Sequence, residues 1–236
     1  MKIIGWIGIL HVTFIVVWII INIIFSISHP VDLMEERTSA EIGIAFYSEF
    51  PGYLGLDHGS KALIMLLSIA LPVGLFVCIK PLKNFQLPNI IALVSGCLGF
   101  ALYSLSLMLQ AVTAEYVFQL YNANEDMYAR QFATLLYEWS MLEGGLSVSM
   151  YILSNILLAV WVLIHSAGLF KLANMKKIRL IGYAAGGLLI VSYLVSWFFL
   201  MQGKQNMHDI NEFVGLFFIL WILMIGIQFI SGRLRA

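Results

Sequence analysis

The stretch IIGWIGILHVTFIVVWIIINIIFSI, residues 3–27, runs twenty-five positions without one Asp, Glu, Lys or Arg. A helix rises about 1.5 Å per residue, so about twenty such residues cross the ~30 Å hydrocarbon core of a bilayer. Its unbroken apolarity excludes a membrane-barrel strand, in which apolar and polar side chains alternate over ~10 residues. The stretch exceeds the roughly 7 to 15 apolar residues of a cleavable leader, and no small-x-small cleavage site follows it. It reads as a retained span.

Five more runs of the same kind follow, and the predicted spans are 3–27, 60–80, 88–112, 145–168, 178–201 and 210–231. Composition agrees: 61% of the 236 residues are hydrophobic and 11% charged, with a mean hydropathy of +0.92. A soluble domain carries roughly 25% charged residues. Little remains outside the runs, so the expected fold is all-α, a single transmembrane domain over 1–236 built as an integral membrane bundle of six helices. Cys78 and Cys97 fall inside adjacent spans and have neither metal-site nor redox spacing.

Basic residues are retained on the cytoplasmic side during insertion. With the N-terminus inside, nine of the thirteen are cytoplasmic: Lys2, Lys80, Lys83, Lys171, Lys176, Lys177, Arg179, Arg233 and Arg235. All thirteen acidic residues then fall outside, so the formal charge of zero becomes a dipole across the membrane. Both termini are expected in the cytoplasm of a cell whose plasma membrane the chain crosses. The short basic turns Lys80-Pro81-Leu82-Lys83 and Lys171 to Arg179 suit anionic headgroups, at about 1 kcal/mol per basic residue. No segment has the phosphate-binding glycines of a nucleotide site, and no nucleic-acid partner is implied.

The two long external connections read as amphipathic helices lying in the interface. In the first, Asp32 and Glu35 have cap-like spacing, Leu33, Met34, Ala40, Ile44 and Phe46 give an apolar face, and Pro51-Gly52 ends the segment. In the second, Asn124, Glu125 and Asp126 precede Tyr128, Phe132, Leu135, Leu136, Trp139 and Leu142, which share one helical stripe. Two readings fit them: a lid over the outer mouth of the bundle, or a pair of interfacial helices with no cavity beneath.

Charges are missing from the span centres, where burial in hydrocarbon is tolerated mainly for function. That argues against a pump built on a midplane carboxylate. Histidines offer two constellations instead. His11 and His165 lie near the cytoplasmic ends of their spans, and His58 and His208 near the outer ends, the depth pattern of two bis-histidine haems in a membrane cytochrome b. On the outer face, Asp57, His58, Glu143, His208 and Glu212 combine imidazole and carboxylate groups suited to zinc or another divalent cation. For Asp57, Glu143, Asp209 and Glu212 the competing expectation is helix capping in first turns. Gly96, Gly99, Gly144, Gly145, Gly182, Gly186 and Gly187 mark expected close helix approaches.

The hairpin from Gly144-Gly145 through His165 to Arg179, followed by Ile181-Gly182-Tyr183-Ala184-Ala185-Gly186-Gly187, resembles an uncharacterised family of small multi-pass bacterial membrane proteins. The resemblance implies the architecture and brings no activity, cofactor or site residue with it. Three classes of function fit the residues. The first is a non-enzymatic accessory, immunity, sensory or small-solute-handling component with an outer face that attracts a cation. The second is an outer-face metal-dependent enzyme acting on a lipid-like substrate, and the third a bis-histidine cytochrome b. The residues name no catalytic group and fix no cofactor.

Overall fold

A computed structural model describes residues 2–30, 38–79, 86–123, 126–142, 145–172, 175–201 and 208–234; within these, the side chains at 79, 123, 142, 169–172, 196, 199–201 and 208–213 fall outside the description. Every regular element among the described residues is helical: α1 (Lys2–Ser28), α2 (Ser39–Ser48), α3 (Tyr53–Leu67), α4 (Ala70–Ile79), α5 (Gln86–Ala123), α6 (Met127–Tyr137), a π-helical turn (Glu138–Leu142), α7 (Leu146–Leu172), α8 (Lys176–Met201) and α9 (His208–Ile230). Five helical stretches are long and apolar enough to cross a membrane: Lys2–Ser28, Tyr53–Cys78, Gln86–Asn122, Met127–Gly168 and Lys176–Val195. Val214–Ile230, within α9, is a shorter apolar helix.

Helix α1 buries only Gly5, Gly8, His11 and Val12, near its start, and leaves Ile20, Ile23, Ile24 and Ile27 exposed. The other spans likewise expose Leu63, Leu66, Val94, Leu98, Val191 and Leu194. Apolar surface on this scale is unstable in water and is what lipid solvates. The chain is therefore a helical membrane protein.

Two elements depart from the expected span limits. The helix expected from residue 60 begins at Tyr53 and is interrupted between Leu67 and Ala70. Pro72 has no N–H to give the Ser68 carbonyl and crowds it, so the ladder loosens there. Tighter bonds replace it, from Ser68 N–H to Met65 O at 3.1 Å and from Leu71 N–H to Ser68 O at 2.9 Å. Helix α5, expected to end at 112, continues to Ala123, and its 38 residues reach about 57 Å.

The chain divides into two compact units. One comprises Met1–Thr13, Met65–Leu102 and Ile152–Ala236. Its helices meet at glycines, because lipid offers little hydrophobic drive for association and close backbone approach must supply the packing. A β-carbon on Gly5 would lie 2.7 Å from Gly226 O, one on Gly99 2.8 Å from Leu158 Cγ, and one on Gly186 2.6 Å from Leu163 Cγ. Gly96 and Gly182 are equally confined, whereas Gly187 faces open space and makes no such approach. Trp161, Trp221, Phe100 and Phe229 fill the interior.

The other unit comprises Phe14–Ile64 and Tyr103–Tyr151. Its core joins Ala40 and Ile44 of α2, Leu54 of α3, Ala114, Val117 and Phe118 of α5, and Ala133 and Tyr137 of α6. Thr38 and Glu41 start α2 with a reciprocal capping box, Thr38 N–H donating to Glu41 Oε2 at 2.9 Å and Glu41 N–H to Thr38 Oγ1 at 3.3 Å. Asp126 caps α6 by accepting from Tyr128 N–H at 3.0 Å. The expected cap at Asp32 and Glu35, like Leu33, Met34, Asn124 and Glu125, lies outside the described residues. The expected apolar stripe divides: Tyr128, Phe132 and Leu135 of α6 and Trp139 of the π-helical turn are exposed, while Leu136 packs against the core beside the buried Ala133 and Tyr137. Glu143 and Gly144 also lie outside the described residues.

Candidate functional site

Of the five residues expected to bind a cation, Asp57 and His58 are fully described. Glu143 is not, and although α9 begins at His208, the side chains of His208, Asp209 and Glu212 are outside the description. The expected convergence of these groups therefore lies outside the described residues. Among the described residues, no three His, Cys, Asp or Glu side chains stand together closely enough to hold a metal ion.

Asp57 is buried on α3, 4% exposed. Because the helix begins at Tyr53, Asp57 sits one turn inside it and does not cap it as expected. Its counter-charge is Lys61, one turn further on, whose Nζ lies 2.5 Å from Asp57 Oδ1. The ammonium also lies 5.8 Å from the ring centroid of Trp18, a cation–π distance. His58 Nδ1 is 3.2 Å from Leu54 O and 3.6 Å from Asp57 Oδ2. Among the described residues one carboxylate and one imidazole thus stand together here, with the Lys61 ammonium against Oδ1 of the carboxylate.

An aromatic stack holds α1 and α2 beside this pair's helix. The rings of Phe25 and Tyr53 stack at 3.9 Å, Tyr47 lies nearly parallel to both, and Tyr53 Oη donates to Asn22 Oδ1 at 2.7 Å. Burial, and next the negative charge of Asp57, hold the Tyr47 phenol above its ordinary pKa.

The same unit contains an open groove of about 440 Å³ between α3 and α5, lined by Gly55 and Gly59 on one side and by residues from Met108 to Gln119 on the other. Glu115 stands in it with Oε1 buried and without a hydrogen-bond partner among the described residues. Sequence reasoning counted Glu115 only among the acidic outer residues and Lys61 only among the basic ones. The available signals were Asp57-x-x-x-Lys61 and Gly55-x-x-x-Gly59, since residues four apart share a helix face.

In the first unit, His11 and His165 are both buried, 1% and 0% exposed. His11 Nδ1 hydrogen-bonds Ser68 Oγ at 2.7 Å, at the interruption between α3 and α4. Edge-to-face rings run from His11 to Phe100, from Phe100 to Trp161 and from Trp161 to His165, at 6.1, 5.5 and 6.0 Å. Aromatic side chains, rather than open space, connect the two imidazoles. Both ring nitrogens of His165, together with Ser166 Oγ and the Nε1 atoms of Trp161 and Trp221, have no hydrogen-bond partner among the described residues. Gly182 makes room for this group: a β-carbon there would strike Ser166 Oγ and lie 2.6 Å from Trp221 Nε1.

The long apolar helices and their exposed apolar faces define a class, a helical membrane protein. Comparison with protein-family models, curated proteins and solved structures gives no match for this chain.

Proposed function

We propose that the chain is a six-span bacterial plasma-membrane protein with both termini in the cytoplasm, α2 and α6 in the external interface, and a non-enzymatic role in which it holds a ligand without transforming it. The observation that carries this reading is the closure of Asp57 by Lys61. In the outer cluster predicted from sequence, Asp57 is the carboxylate with the adjacent histidine, and a lysine four residues on supplies its counter-charge. Such an arrangement stabilises a fold, and a carboxylate whose charge a lysine already answers is a weaker ligand for the metal ion that a hydrolytic site needs. Accessory, sensory and small-solute-handling roles all remain within this class.

Metal analysis of the purified protein tests the reading. The expected result is zinc well below one equivalent, unchanged in Asp57→Asn and His58→Ala. One tightly held equivalent that is lost in either variant overturns it in favour of the metal-dependent enzyme. The haem reading has its own support in the open ring nitrogens of His165. Its signature is a bis-histidine absorption band removed by His11→Ala or His165→Ala, and the expected spectrum has none.

A further inference from the structure

We propose that the groove between α3 and α5 binds a membrane lipid whose headgroup carries a primary ammonium group. The proposal goes beyond the reading above and is independent of it, since a metal at Asp57 and a lipid in the groove would not exclude one another.

The α5 wall is one helix face, with Met108, Ala111, Val112, Glu115, Tyr116 and Gln119 spaced three and four apart. Opposite it on α3, Gly55 and Gly59 supply no side chain. The two helices run antiparallel here: the position a β-carbon would take on Gly59 is 3.9 Å from Ala111 Cβ, and that on Gly55 is 3.0 Å from Glu115 Oε1. Polarity changes along the wall. Met108, Ala111 and Val112 are apolar; Glu115, Tyr116 and Gln119 follow over about 16 Å of helix, measured from Met108. This is the gradient of an amphiphile, with the tail beside Gly59 and the head beside Gly55. Val112 is 63% exposed and Tyr116 52%, so the groove opens outward where lipid reaches it.

Glu115 selects the head. A carboxylate oxygen accepts hydrogen bonds, and Glu115 Oε1 is buried with no donor among the described residues. The neighbouring lysine on the same stretch of α3, Lys61, is committed to Asp57. A primary ammonium brings positive charge and three N–H donors, as a lysine side chain does. A trimethylammonium head keeps the charge and has no N–H to give; an anionic head is repelled. A second transmembrane helix against Gly55-x-x-x-Gly59 would close the small-residue face, but its apolar side chains would leave the carboxylate unanswered.

The experiment is native mass spectrometry of the protein from nanodiscs containing phosphatidylethanolamine and phosphatidylcholine of identical acyl chains. The expected result is one retained lipid, with the primary amine preferred about tenfold, the discrimination of a single charge-assisted hydrogen bond. Glu115→Gln should bring that preference close to parity while still retaining a lipid. Gly59→Leu, whose side chain has room to enter the groove, should abolish retention; Ala111→Leu, which fills the groove from the other wall, serves where Gly59→Leu does not fold. Retention without headgroup preference overturns the role of Glu115. Retention unaffected by both filling variants overturns the groove, as does a dimer lost on filling it, which would assign the surface to a second copy.

Discussion

The pair Asp57–Lys61 shows how a charge is carried inside an apolar helix. Its carboxylate side chain is 6% exposed and its ammonium 20%, so neither is fully hydrated, and each is the other's main compensation. The net worth of such a pair is small because desolvation offsets attraction, but removing one partner leaves an uncompensated buried charge. Lys61→Met should therefore destabilise the protein by about 3 kcal/mol, and adding Asp57→Asn should restore most of the loss. Thermal unfolding in detergent of the two single variants and the double variant measures this. Additive losses would show that the two groups are independent and that Asp57 answers to something else. His11 illustrates the more ordinary case, a buried histidine whose hydrogen bond to Ser68 holds the α3–α4 interruption in register.

Helices form here because the backbone must satisfy itself in lipid, and this made the apolar runs legible directly from composition. The element ends were not, since packing extends them beyond the apolar window. Thr113 to Ala123 mixes Glu115, Gln119 and Asn122 with Ala114, Val117 and Phe118, and only the burial of the last three against α2 and α6 continues α5 as a helix. The start of α3 was hidden similarly by the glycines of Tyr53-Leu-Gly-Leu-Asp-His-Gly59, which read as a loop until Leu54 is seen in the core. Small residues were legible as a class but not one by one, because a sequence does not say which helix face meets a neighbour. Gly186 and Gly187 separate the cases. Gly186→Leu should cost about 1 to 3 kcal/mol or more, as its β-carbon would fall between Leu163 and the Ala159 carbonyl. Gly187→Leu meets open space and should be neutral or stabilising by up to ~1 kcal/mol, the difference in helix propensity. Denaturant titration of both in detergent decides it, and equal losses would mean that the helix contact is misassigned.

For the whole molecule the open quantity is orientation, which helix packing does not encode: a bundle is equally well packed either way up, and the side is chosen at insertion by Lys and Arg. The candidate site was legible only in part for a related reason. Asp57 and His58 stood out as ionisable neighbours, whereas the groove depends on an α3–α5 register that no local pattern specifies. Nine of thirteen basic residues lie at the ends proposed as cytoplasmic, with Lys80 and Lys83 in the sequence between α4 and α5 and Lys171, Lys176, Lys177 and Arg179 at the end of α7 and the start of α8. Inverting the chain would export those clusters and retain only Arg37, Lys61, Arg130 and Lys204. A reporter fused after Lys83 or Lys177 should therefore read as cytoplasmic, and one fused near Glu41 or Glu125 as external. The site near Glu125 is the most discriminating, because it follows the far end of α5 and precedes α6. A cytoplasmic signal there would sink the six-span arrangement, and it would also turn the groove beside Glu115 toward the inner leaflet, where its amine-headed lipid would have to be supplied.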